Sequence, residues 1–442
     1  MQHNHSVTLR EDKCVGCTDC IKRCPTEAIR VRNSKAVIID ERCIDCGNCI
    51  RVCKHGAKKA VTDPVEMMND YKYKIAIPAP TLYAQFKKVQ DAELILTYLD
   101  IMGFDDVVEV AQAAEIIADT TEEYITSNKI QLPLISSACP VIVRLIQRRF
   151  PCLINQIIPI ISPMELAARY AKEKYIKRGI KEEDIGVFFI SPCAAKATDI
   201  RRPKGFDKSA VNGVFSIKEV FMEVLDIAKE TEKPTIKQES SQEGIVWAIK
   251  GGASSNSSLK NHIVVDGMDS VISVLEKVED GSLTDVDYIE GLACIGGCLG
   301  GPLTVEDPFV AKNYLKKVMD NSPKKEKKKI YPDLYYSIPK IWQRGIEARP
   351  VFSLDEDMEK ALIMMTDIGA LYDQLPQIDC GSCGSPTCNS FAEDVIRGRA
   401  KIEDCVFMLR KHITELSIEM LELTQKVSPT QDKEKREAGN GE

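Results

Sequence analysis

The chain has 442 residues, 44% of them hydrophobic and 28% charged, the balance of a water-soluble protein long enough for about two to four domains. Its formal net charge of −7 argues against nucleic acid as a main partner, and no run of about 18 apolar residues offers a membrane span. The N-terminus carries neither an apolar leader nor twin arginines, so a cytoplasmic location is expected, where 17 cysteines serve as metal ligands rather than as disulfides.

The first module spans residues 1–62. Cys14, Cys17, Cys20 and Cys24 are spaced Cys-x2-Cys-x2-Cys-x3-Cys, with Pro25 next, and Cys43, Cys46, Cys49 and Cys53 repeat the spacing with Lys54 in place of proline. Short strands are predicted at 28–32 and 35–40 around the turn Asn33-Ser34. Spacings of two put three sulfurs on one tight loop. Zinc also uses Cys-x2-Cys, but with longer spacers between its pairs. The two runs resemble a bacterial two-cluster ferredoxin. That resemblance implies an α+β module in which Cys14, Cys17, Cys20 and Cys53 hold one 4Fe–4S cluster and Cys43, Cys46, Cys49 and Cys24 the other.

From 70 to 320, strand-like runs at 73–77, 132–135, 185–190 and 263–265 alternate with helical periodicity at 92–102, 141–150, 164–178 and 217–230. The alternation predicts an α/β domain with largely parallel sheets. Three small-residue loops carry cysteines: Ser136-Ser-Ala-Cys139-Pro140, Ser191-Pro-Cys193-Ala-Ala-Lys196 and Leu292-Ala-Cys294-Ile-Gly-Gly-Cys298-Leu-Gly-Gly301. By themselves they indicate either a metal site at loop ends or buried thiols, and Cys294-x3-Cys298 between glycines is a poor core pattern. Cys152, outside every group, reads as an ordinary buried or half-buried thiol.

In order and text, these are similar to the three signature loops of the iron-only, or [FeFe], hydrogenase catalytic domain. Flanking residues 77–86, 103–105, 161–163 and Gly251-Gly252 agree. The resemblance implies reversible proton reduction and hydrogen oxidation at an H-cluster, a 4Fe–4S cube joined to a two-iron unit with CO, cyanide and a bridging dithiolate. Cys139, Cys193, Cys294 and Cys298 would ligate the cube and Cys298 would bridge to the two-iron unit. Lys196 would donate to a cyanide. Cys193, Lys196 and Cys298 are thus the catalytic candidates, with Gly296, Gly297, Gly300 and Gly301 allowing close backbone approach. The sequence also departs from the family. Ala138 stands where catalytic members have a proton-relaying cysteine. Ser191 and Leu292 replace methionines, Met164 a cyanide-contacting glutamine and Ala79 a cyanide-contacting serine. The acidic relay positions fall on Thr121 and Tyr124, beside Glu122 and Glu123. Ser137 or Ser191 is the replacement proton route the sequence offers. Slow turnover with a retained cluster is the expectation, which resembles the sensory branch of the family.

Residues 321–350 read as a linker whose basic run, 324–329, is either solvated or a nucleic-acid patch. Residues 351–405 hold Cys380, Cys383, Cys388 and Cys405, with a helix predicted at 390–402. The set resembles the small 4Fe–4S domain of electron-transfer subunits and corrinoid-protein partners, although four cysteines also suit zinc. In 406–427, Val406, Leu409, Ile413, Leu416, Met420, Leu423 and Val427 recur in steps of three and four, as in a coiled coil. Phe407, Met408, Ile418 and Leu421 broaden that face, as in a helix packed on its own domain. The polar tail 428–442 is expected to be disordered.

The overall expectation is a multidomain α/β protein: a ferredoxin-like α+β module, an α/β hydrogenase-type domain and a small helical 4Fe–4S domain with a heptad helix. It carries three accessory 4Fe–4S clusters and an H-cluster. Its partners would be hydrogen or protons, a redox protein such as ferredoxin, and a signalling protein or second copy through 406–427; nucleic acid and membrane are not expected. The alternative is an electron-transfer or iron–sulfur assembly protein that binds only 4Fe–4S clusters and has no hydrogenase activity.

Overall fold

The computed structural model describes residues 5–127, 132–255, 259, 261–325, 330–355 and 357–426. Most of the basic run at 324–329, Val427 and the 428–442 tail lie outside the described residues. The architecture is multidomain α/β, with an N-terminal strand-and-helix module, a central α/β core and a C-terminal helical iron–sulfur domain. By its contacts the chain forms two compact units, one of residues 1–15 and 38–352, the other of residues 16–37 and 353–442.

In the larger unit, a four-stranded parallel sheet runs in the order Asp106–Val107, Tyr73–Pro78, Ile185–Ser191, Gly213–Ser216. Ile185–Ser191 is buried along its whole length, as expected of a strand with both faces covered. Side chains alternate between the faces: Ile75, Ile77, Val187 and Phe189 enter one core with the Pro163–Ile176 helix, while Ala76, Phe188 and Ile190 enter another with the Ala92–Ile101 helix. A second parallel sheet orders His262–Asp266, Tyr288–Leu292 and Leu134–Ile135. Val7–Leu9 pairs antiparallel with Lys58–Ala60 and closes the part of the cysteine-rich module in this unit.

The smaller unit is held by polar contacts between the hairpin Ile29–Arg32/Lys35–Ile38 and the C-terminal cysteine loop. Val31 N donates to Gly384 O at 2.7 Å. Buried Asp394 accepts from Arg30 Nε (2.5 Å), Arg32 Nη2 (2.9 Å) and Ser385 Oγ (2.8 Å). Gly384, at φ +78°, is required: a Cβ there would lie 2.0 Å from Val31 O.

Two element predictions change. The helix predicted at 217–230 is divided into Ile217–Val224 and Ile227–Glu230. The helix predicted at 390–402 is Cys388–Ile396: Thr387 Oγ1 caps its start by accepting from Ser390 N, and Gly398 turns left-handed just past its end.

Candidate metal centre

Parallel strands deliver loops at their carboxyl ends, which is where open α/β sheets bind ligands. Leu134–Ile135 leads to Cys139, Ile185–Ser191 to Cys193 and Tyr288–Leu292 to Cys294. Cys139 and Cys193 are the N-cap residues of the helices Pro140–Arg149 and Ala194–Arg201, an end of a helix that favours negative charge. Ser191 fixes the second loop, its Oγ accepting from Cys193 N and donating to Cys193 O, both at 3.0 Å. The third loop wraps too tightly for side chains. At Gly297 (φ +76°) a Cβ would lie 2.7 Å from the Ile249 carbonyl carbon, and at Gly301 2.2 Å from Pro192 O.

Cys139, Cys193, Cys294, Cys298 and Lys196 all line one cavity, with about 100 Å³ of room for water-sized groups. Its other walls are largely apolar, formed by Ala138, Met164, Phe189, Trp247 and Leu292 among others. Burial first, then the neighbouring Cys294 and Cys139, push the Cys193 thiol up to about 12. Cys298 is raised further, by burial and then by Cys139, Cys294 and Cys193. A cation bound among the four sulfurs would oppose these shifts.

Several neighbours bear directly on these sulfurs. From the helix Asn48–Val52, Arg51 Nη2 donates to Cys294 Sγ at 2.9 Å and another bond goes to Gly300 O. Gly47 abuts Pro302, whose Cγ would lie 2.6 Å from a Cβ there. Asp45, between Cys43 and Cys46, accepts from Ser6 N and Thr198 Oγ1 at 2.7 Å each and pairs with buried Arg144. The second cysteine run is therefore bonded to the two helices that start at Cys139 and Cys193.

Thr81 was missed at the sequence level. It is fully buried on the cavity wall, and its Oγ1 has no hydrogen-bond partner among the described residues. A polar residue within the wholly buried turn Pro80–Gln85 was the available signal. Such a hydroxyl costs about 1–3 kcal/mol if nothing meets it. Four thiol donors, one ammonium and one orphaned hydroxyl around a largely apolar cavity fit a thiolate-held iron–sulfur group with polar ligands of its own.

The residues marked as departures divide. Ala79, Ala138, Met164 and Leu292 line the cavity. Ser137 and Ser191 do not: Ser137 Oγ donates to Ile160 O at 2.7 Å and Ser191 is spent on its own loop. Thr121 Oγ1 donates to Ile117 O within its helix, and neither it, Glu122, Glu123 nor Tyr124 reaches the wall.

Of the remaining cysteines, Cys14, Cys43, Cys46, Cys49 and Cys53 belong to the larger unit, and Cys17, Cys20, Cys24, Cys380, Cys383, Cys388 and Cys405 to the smaller. The two N-terminal runs share local geometry. Gly16 and Thr18 in one, and Asp45 and Gly47 in the other, are left-handed at matching positions. Cys24 Sγ accepts from Ala28 N, and Cys53 Sγ from Ala57 N, both at 3.2 Å. In the C-terminal set, Cys388 and Cys405 share a core with Phe391, and burial raises Cys383, with Cys405 and Cys380 adding to it. His5 lies beside Cys43 and Asp45, with Nε2 on Asp40 (2.9 Å) and Nδ1 accepting from Val7 N (3.3 Å). Cys152 is exposed rather than buried, its thiol 2.9 Å from Glu279 Oε1.

Comparison with known proteins places these features in context. Residues 72–262 and 254–302 match the family described as iron only hydrogenase large subunit, C-terminal domain. Residues 6–54 match a 4Fe-4S dicluster domain, and 375–407 a family described as an Fe-S cluster. The chain is 23% identical over 257 residues to the NADP-reducing hydrogenase subunit HndD of Solidesulfovibrio fructosivorans, covering 45% of this chain and 43% of that one. It is 42% identical over 38 residues to the corrinoid/iron-sulfur protein large subunit of Moorella thermoacetica, covering 9% and 8%. The chain spans less than half the length of the curated relatives it matches. Similar solved structures include an [FeFe]-hydrogenase studied for oxygen inactivation (TM-score 0.45, 14% identity, 63% of this chain and 95% of that one). A variant of HydA1 from Chlamydomonas reinhardtii gives TM-score 0.41 at 14% identity, covering 58% and 86%.

Proposed function

The chain belongs to the iron-only hydrogenase family, as defined by the C-terminal domain of the large subunit. From that premise we propose that it is an [FeFe]-hydrogenase-like iron–sulfur oxidoreductase of low turnover. The observation that carries the reading is the shared cavity of Cys139, Cys193, Cys294, Cys298 and Lys196. An H-cluster held there would supply reversible proton reduction and hydrogen oxidation.

In this reading Cys139, Cys193, Cys294 and Cys298 would hold the cube, and Cys298 would also hold the two-iron unit. Lys196 holds an anionic ligand by its ammonium, and Thr81 offers its hydroxyl to the same space. The apolar walls keep out water and so strengthen both contacts. Two further cubes belong to the eight N-terminal cysteines and one to Cys380, Cys383, Cys388 and Cys405. A cube held by the second N-terminal run would supply electron transfer toward the central cavity, and Arg51, from the same helix as Cys49, supports this by its contact with Cys294. Ala138 carries no proton, and Ser137 and Ser191 are engaged elsewhere. Loss of one positioned proton donor costs about 10²–10⁴ in rate, which supports a hydrogen- or redox-sensing role over bulk metabolism. The exposed apolar stripe of the helix Val406–Gln425 supports contact with a signalling partner or a second copy. A cytoplasmic setting and a ferredoxin-type redox partner complete the proposal. Among the described residues, no helix is long and apolar enough to cross a membrane.

Infrared spectroscopy of the chain after maturation tests the proposal. CO and cyanide stretching bands are expected. A chain with a full set of 4Fe–4S clusters and no such bands would be the electron-transfer or assembly protein instead, a reading favoured by the lack of a proton-carrying side chain at Ala138.

A further inference from the structure

A second cavity, of about 530 Å³, lies at the other end of the helices that begin at Cys139 and Cys193. Each helix ends in arginines: Arg148 and Arg149 on one, Arg201 on the other with Arg202 just beyond. Lysine or arginine in a last helical turn is common, since it answers the negative end of the dipole. The concentration of charge here exceeds that need. Arg144, Arg148, Arg201 and Arg202 meet Lys204, Arg344 and Arg349 around one polar hollow, against only Asp207 and Glu347.

Four of these cations have carboxylate partners. Arg144 pairs with Asp45, Arg201 with Asp63 (2.9 Å), Lys204 with Asp199 and Arg344 with Asp207. Among the described residues, no carboxylate pairs with Arg148, Arg202 or Arg349, and Glu347 is the one lining carboxylate left over. The Arg148 guanidinium is engaged by a backbone acceptor, donating to Cys43 O, so Arg202 and Arg349 are the cations whose guanidiniums face the hollow without a carboxylate among the described residues. The far wall is pinned in place: Arg349 N donates to Gln147 O and Gln147 Nε2 to Glu347 O, both at 2.8 Å. A built, concave cluster of guanidiniums is matched best by oxyanions that accept two parallel bonds at once, phosphate above all. Its volume is that of a small-molecule site rather than a protein-docking face.

The cavity is also wired to the iron–sulfur cavity. Lys204 lines it and pairs with Asp199, whose other oxygen lies 3.5 Å from Lys196 Nζ, and Lys196 lines the cysteine cavity. An anion that draws Lys204 toward itself leaves Asp199 to bind Lys196 more tightly.

We propose that this cavity binds a small polyphosphate anion, and that Lys204–Asp199–Lys196 transmits its occupancy to the cysteine cavity. The binding half stands independently of the hydrogenase reading; the coupling half rests on it. Calorimetry on the full, cluster-loaded chain with inorganic pyrophosphate and ATP as probes tests the first half. One saturable site is expected, weakened at least tenfold by Arg202→Ala with Arg349→Ala and unchanged by Lys316→Ala, an exposed lysine that does not line the cavity. Equal affinity for the two probes assigns the site to phosphates alone, and tighter ATP adds the nucleoside. No saturable binding, or binding indifferent to the arginine variants, overturns the site. Electron paramagnetic resonance of the central cube tests the second half. Pyrophosphate or ATP should shift its signal in the wild type and not in Asp199→Asn or Lys204→Gln. A signal unmoved at saturating probe overturns the coupling. Absence of any central-cube signal overturns the hydrogenase reading and the coupling together, while the calorimetry still decides the site.

Discussion

Thr81 and Arg51 show how much single side chains contribute around the cysteine cavity. Thr81 Oγ1 is buried on the cavity wall without a partner among the described residues, so its hydroxyl is open to a group held in the cavity. Thr81→Val keeps the shape and removes the hydroxyl. The CO and cyanide bands of the matured chain should shift in the valine variant and return in Thr81→Ser; identical spectra for wild type and valine would show that the hydroxyl meets nothing there. Without cofactor, the valine variant should be as stable as the wild type or slightly more so, because no hydrogen bond is lost. Arg51 acts from outside the cavity. Its guanidinium donates to Cys294 Sγ at 2.9 Å, and hydrogen bonds to cluster sulfurs make reduction easier. Arg51→Gln should lower the central cube's affinity for an electron by about tenfold, or about 59 mV for a one-electron couple. A redox titration with an unchanged midpoint would reduce Arg51 to a surface tether.

At the scale of elements, the controlling feature is the attachment of the Cys43–Cys49 loop to the helices Pro140–Arg149 and Ala194–Arg201. Asp45 and Arg144 are both buried, with side-chain exposures of 0% and 8%. Removing one charge of such a pair strands the other, at a cost of about 3–5 kcal/mol. Asp45→Asn, which keeps the size and tolerates the left-handed backbone, should therefore lower the denaturation midpoint clearly. Arg144→Met in the same chain should recover part of the loss, since the stranded charge is then gone. Independent, additive losses would mean the two side chains do not act as a pair. Of these two helices, Pro140–Arg149 was legible from periodicity to within one residue of the predicted 141–150, whereas Ala194–Arg201, too short and small-residue-rich to show a period, was not predicted. The helix at Cys388–Ile396 came out shorter because Gly398 stops it, a local signal that its apolar spacing concealed.

At the scale of the whole chain, the cysteine modules do not follow the compact units. Residues 16–37 pack with the C-terminal set through Asp394 and its two arginines. The C-terminal helix is the other feature visible only here. Leu409, Ile413, Leu416, Met420 and Leu423 are 38–69% exposed, so the heptad face is not packed on its own domain. If a second copy covers it, the chain sediments as a dimer, and Leu416→Glu with Leu423→Glu sediments as a monomer. A wild-type monomer at micromolar concentration would leave the stripe to a different protein.

The sequence by itself determined the iron–sulfur character of the protein, because ligand spacing within one tight loop is a local property of the chain. It also carried the alternation of strands and helices and the substitution at Ala138. It could not show that Thr81 presents an orphaned hydroxyl, that Arg51 reaches Cys294, or that Arg148, Arg202 and Arg349 surround one hollow. Those facts depend on side chains brought together from distant parts of the chain, where burial and neighbouring charge, rather than spacing, decide what each group can do.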